Sequence, residues 1–104
     1  MKYKLVLDMN QEGIDRYIVH LDHPQAVFRL HDKTNVPEPE LMKFKSKAVN
    51  YATTEPNGRY FMLTIEMVEP HDYISEEKLA ENISNILIGA ADYVHKMFSQ
   101  FMSN

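Results

Sequence analysis

Cysteine is absent from the 104 residues, and with it go disulfide frameworks, thiol nucleophiles and Cys-ligated zinc. A reducing, cytoplasmic setting is the resulting expectation. With only three glycines, no phosphate-cradling Gly-rich loop is expected. No apolar run approaches the ~20 residues that a membrane-spanning helix needs, so no membrane partner is expected. Met1-Lys2-Tyr3-Lys4-Leu5 alternates from the outset, which predicts no apolar signal segment. A positive charge excess is missing as well: 11 Lys and Arg stand against 15 Asp and Glu, for a net charge of −4. Residues 1–47 are nearly balanced, whereas residues 48–104 hold only Arg59, Lys78 and Lys96 against eight acids. A nonspecific grip on phosphate backbones needs clustered cations, so nucleic acid is not an expected partner. The one basic run is Lys43, Lys45 and Lys47, with Lys2 and Lys4 possible neighbours. Alternating in a strand, these lysines form a solvated face or guard a sheet edge.

What is present is ordinary globular composition, 44% hydrophobic and 25% charged, in a chain of single-domain length spanning residues 1–104. The apolar period changes once, from two to 3.6, near residue 74. Period-two alternation predicts strands at about 2–9, 15–21, 26–31, 45–54 and 59–69. The segment from Asp32 to Leu41, with Pro37 and Pro39, reads as an extended connection. A helix over about 75–101 is predicted from Ser75 as N-cap, from Glu76 and Glu77 in the first turn and from an Ile74–Leu79 staple. Its stripe of Leu79, Ile83, Ile86, Leu87, Ala90, Val94, Met97, Phe98 and Phe101 is broad. Gly89 is its one weak position. The expected fold is α+β: a five-stranded antiparallel sheet with one long C-terminal helix on one face.

Register follows from parity, because a one-residue slip turns every side chain to the other face. A three-residue loop Gln11-Glu12-Gly13 pairs Leu7 with Tyr17, Leu5 with Val19 and Tyr3 with Leu21. A four-residue turn at Asp22–Gln25 then pairs Leu21 with Ala26, Val19 with Phe28 and Tyr17 with Leu30. A third loop, Pro56-Asn57-Gly58, sets Phe61 against Thr53, Leu63 against Tyr51 and Ile65 against Val49. This leaves Tyr60, Met62, Ala48 and Ala52 on an open outer face.

Chemistry is sparse. Five histidines are present, and three of them abut an aspartate. Parity separates His20 from His31 by ~13 Å, too far to share one ion. Glu69, His71 and Asp72 gather two carboxylates and an imidazole after the last strand. They are the best local acid–base or metal candidates, although a Pro70 stop and a helix cap explain the same residues. No HExxH, EF-hand or Gly-x-Ser-x-Gly pattern supports catalysis, so no catalytic residue, metal or other cofactor is assigned. Tyr60 and Met62 on the outer sheet face, with Phe98, Phe101 and Met102 at the helix end, point instead to a partner surface or ligand site. The expected function is a small, non-enzymatic, homo-oligomeric interaction module of adaptor or inhibitor type, with itself and a protein or peptide as partners. One alternative is a chaperone-like binder of apolar peptides or small ligands in a pocket of Tyr17, Phe28, Met67, Met97 and Phe98. Another is an enzyme using Glu69, His71 and Asp72.

Overall fold

Alternation of apolar and polar residues yields five strands in the computed structural model, which describes residues 2–22, 24–48, 50–69 and 76–102. Side chains are described for all of these except residues 76, 101 and 102. The strands are β1 (Tyr3–Asn10), β2 (Gly13–His20), β3 (Ala26–Asp32), β4 (Tyr51–Thr54) and β5 (Phe61–Val68). They form one antiparallel sheet in the order β1-β2-β3-β5-β4. A long C-terminal helix, α2 (Glu76–Met102), packs on its inner face. The fold is thus α+β, as the change of period predicts. Ile74 and Ser75, the expected staple and cap of this helix, lie outside the described residues.

The inner face buries Ile18, Ala26, Phe28, Leu30, Phe61 and Leu63 against Ile86, Leu87, Ala90, Ala91 and Val94 of α2. At ~1.5 Å per residue its 27 residues span ~40 Å, close to the molecule's longest extent of 44 Å. The helix uses that length by running from Tyr3 of β1 towards β4 and the Pro56–Gly58 turn. Near its far end Phe98 packs on Phe61, ring centroids 4.7 Å apart. Sequence length alone suggests that the last turns project beyond the sheet or are covered by a second subunit, because it does not reveal this route.

The first two hairpins correct the predicted register by one residue. Asn10 pairs with Gly13, so the first loop holds only Gln11 and Glu12. The Asn10 side chain closes it early: its Oδ1 accepts the Glu12 N–H at 2.9 Å, and Gly13 enters the ladder at φ 141°. Leu5 then faces Ile18 and Tyr3 faces His20. The second hairpin shifts in step, pairing Ile18 with Phe28 and His20 with Ala26. Tyr17, Val19 and Leu21 therefore turn away from the core, and Ile18 and His20 turn in. Burial of His20 is tolerable because its Nδ1–H donates to the Pro24 carbonyl at 2.9 Å.

The third hairpin slips too, with Phe61 opposite Thr54 and Leu63 opposite Ala52. Its turn carries two positive φ values, at Asn57 and Gly58, and the loop extends to Tyr60. Between β3 and β5 a bulge steps from Val27–Met67 to Phe28–Ile65, leaving Glu66 without a ladder partner.

The largest correction is a helix, α1 (Glu38–Lys47), where an extended connection and the start of a strand are expected. Pro39 falls within its first turn, Glu38 and Glu40 sit at its positive end, and Lys45 and Lys47 sit at its negative end. Lysines at 43, 45 and 47 imitate strand alternation, but the i, i+3 step from Leu41 to Phe44 sets the buried side. Residues 45–47 are therefore helical, and β4 keeps only four residues. The outer face is not open along its whole width. The Phe44 ring meets His31 edge-on at 4.8 Å, Leu41 is buried, and Met62 is fully buried on the same side of β5.

Candidate functional site

Side chains of β3, β5 and α1 line a depression of about 590 Å³ on the outer face, including Arg29, His31, Thr64 and Lys47. A His31 ring nitrogen, Nε2, lies 2.7 Å from the Thr64 hydroxyl. Burial, aided by the positive charges of Lys33 and Arg29, lowers the His31 pKa to about 4. Its imidazole is therefore neutral at physiological pH. Arg29 donates to Asp15 at 2.9 Å and approaches Glu66 at 3.7 Å, so its charge is balanced within the chain. The helical run of lysines splits around α1. Lys45 lies over the Tyr60 ring, whereas Lys43 and Lys47 line a second depression with Lys33, Glu40 and Phe44. The strand reading, which places all three on one side, is corrected by the helix.

The residues proposed from sequence do not converge. Tyr60 is half-buried, and Met62 is fully covered within the chain, so it is withdrawn as an exposed contact residue. Phe98 packs against the core through Phe61. The side chains of Phe101 and Met102 lie outside the described residues, as do His71 and Asp72. Glu69 is tied to the loop before β3: its carboxylate accepts the Gln25 N–H at 3.0 Å, and its own N–H donates to the Gln25 carbonyl at 2.8 Å. Among the described residues no three His, Asp or Glu side chains gather at metal-ligating range. No described helix is long and apolar enough to cross a membrane. The pocket expected between helix and sheet is not formed as drawn. Phe28 lies in the core, whereas Tyr17 and Met67 lie on the outer face.

Exposed apolar side chains gather elsewhere, on the β1–β2 hairpin and the sheet beside it. Met9 is 79% exposed, Leu7 55%, Ile14 54% and Val6 38%, and Leu21 is also exposed. Across the outer face, Val19, Val27 and the 68%-exposed Met67 line a shallow apolar depression. The parity expected of β2 hides part of this surface, because it turns Val19 and Leu21 inward, whereas Leu7 keeps its expected inner face but lies outside the buried core cluster.

β1 is also an edge of the sheet, and its hydrogen-bonding parity is fixed. Leu21 N–H donates to the Lys2 carbonyl at 2.8 Å, and the ladder runs on from there in unbroken register. Lys2, Lys4, Val6, Asp8 and Asn10 thus direct their backbone groups to β2. Tyr3, Leu5, Leu7 and Met9 direct theirs to the open edge. The opposite edge, β4, is half as long and packs against α2.

Comparison with known proteins gives no relative: no family model, curated protein or solved structure matches this chain.

Proposed function

We propose that this protein is a small, non-enzymatic interaction module that works as a homodimer or higher even oligomer. The observation that carries the reading is the concentration of Val6, Leu7, Met9 and Ile14 on one hairpin at the sheet's open edge. Soluble monomers seldom leave so many large apolar side chains together in water. Of the polar groups nearest in character to a catalytic set, His31 and Thr64 are engaged with each other and Arg29 with Asp15. Their arrangement supports packing of α1 on the sheet rather than a reactive constellation.

Sedimentation velocity across micromolar concentrations tests the reading. A species of about twice the 12.2 kDa chain mass is expected, shifting to monomer in Met9→Glu with the circular dichroism unchanged. A monomeric wild type at high micromolar concentration would overturn the proposal. The exposed hairpin would then belong to a different protein or peptide.

A further inference from the structure

We infer that two copies of this chain join edge to edge through β1, antiparallel and centred on Val6, making one continuous sheet across a two-fold axis. This rests on the self-associating reading above and adds the partner strand, the register and the residues that select it.

The open backbone groups belong to Tyr3, Leu5, Leu7 and Met9, so only pairings that set odd residues against odd residues can form a ladder. Centring on Val6 satisfies this and gives all four open-edge residues a partner within the strand from Tyr3 to Asn10. It pairs Leu5 with Leu7 and Tyr3 with Met9, each twice, and provides about eight backbone hydrogen bonds. The same pairing covers Leu7 and Met9, the exposed inner-face residues of the strand.

Charge selects this centre over its neighbours. In the chain alone, Lys4 and Asp8 are both exposed, and neither has an ion-pair partner among the described residues. Asp8 stands directly opposite Asp15 on β2, an unfavourable like-charge pair. Centring on Val6 brings Lys4 of each copy opposite Asp8 of the other. Val6 faces its own symmetry mate between the two ion pairs. Moving the centre to Leu5 or Leu7 sets Lys4 opposite Val6 or Asn10 and loses both Lys4–Asp8 pairs.

Two measurements test the register, with sedimentation of the wild type as the common reference. Lys4→Glu and Asp8→Lys should each weaken the dimer about tenfold or more, since a single substitution acts on both symmetric pairs. The double variant Lys4→Glu/Asp8→Lys should restore it to near the wild-type constant. Because the chain has no native cysteine, Val6→Cys should give a disulfide-linked dimer under mild oxidation. The Val6 pair is non-hydrogen-bonded, with Cα atoms ~4.5 Å apart and within disulfide reach. Lys4→Cys alone should not crosslink, because its mate lies four residues along the strand. Unchanged far-UV circular dichroism confirms that each variant is folded, whatever shift in unfolding temperature the weakened dimer brings. A wild-type dimer in which the charge swap fails to rescue, or in which Val6→Cys fails to crosslink, overturns this register and leaves self-association standing. A monomeric wild type overturns both.

Discussion

The Tyr3 hydroxyl of β1 occupies the space that a Cβ at position 89 of α2 would need, so the absence of a side chain at Gly89 admits this contact. The hydroxyl donates to the Ile86 carbonyl at 2.9 Å, and the Tyr3 ring stacks on Tyr93 at 5.8 Å. Burial, with the nearby Asp92 charge, raises the Tyr3 pKa and keeps the donor protonated. The residue that looks weakest in a helical sequence is thus fixed by a contact from the other end of the chain.

Gly89→Ala should therefore destabilise the protein even though alanine favours a helix interior by about 1 kcal/mol. Tyr3→Phe should cost about 1 kcal/mol by itself, through the lost hydrogen bond. The two effects should be markedly less than additive when combined, because removing the hydroxyl relieves the clash. A double-mutant cycle by urea unfolding measures this coupling.

The register of β2 is testable by a pair of neighbours. Ile18 is fully buried opposite Phe28, whereas Val19 lies half-exposed on the outer face. Ile18→Ala should cost about 2–5 kcal/mol, and Val19→Ala well under half of that. Equal costs, or a reversed order, would return β2 to the register expected from parity.

Acid should loosen the packing of α1. With a pKa lowered from 6.5 to about 4 in the folded chain, His31 is neutral there at pH values where an unfolded histidine binds a proton. Its contribution is fully present above about pH 6.5, and stability falls as pH drops from there towards about 4. Urea midpoints measured against pH should show this slope, and His31→Gln should flatten it.

The same imidazole reports on its cover. Phe44 packs edge-on against it and helps to exclude water. Phe44→Ala should raise the His31 pKa towards the ordinary 6.5, followed by NMR titration of the ring protons. An unchanged value would mean that Lys33 and Arg29, rather than burial beneath α1, depress it.

The strands, their antiparallel pairing and the apolar stripe of α2 were legible because each depends on a period that local residues carry. Register was not, because β2 is apolar on both sides: Tyr17, Val19 and Leu21 alternate with Ile18, and the periodicity fits either face. The Asn10 side-chain bond to Glu12 settles the matter by shortening the loop. α1 was concealed for a related reason, since Lys43, Lys45 and Lys47 carry strand period while the acids, proline and lysines at its ends carry helix polarity. That one misreading left Met62 apparently exposed. Part of the exposed apolar surface was hidden by the register error, since the expected register turns Val19 and Leu21 inward. Leu7 keeps its expected face and is exposed because the core does not reach that far along the hairpin.

Cover is unevenly shared across this sheet. Strands β3 and β5 are flanked by α2 on one face and by α1 on the other, whereas the loop end of the β1–β2 hairpin has neither. Opening free energies should follow the same gradient. Amides of β3 and β5 should exchange with solvent at the rate of global unfolding, and those near Gln11 and Glu12 through cheap local fraying. Within β1 of the single chain the exchange should alternate residue by residue, slow at Val6 and Asp8 and fast at Leu5 and Leu7, whose N–H groups face the open edge, and pairing with a second copy should slow the latter two. The segment with the least to lose by rearranging is thus the one that offers an unused ladder.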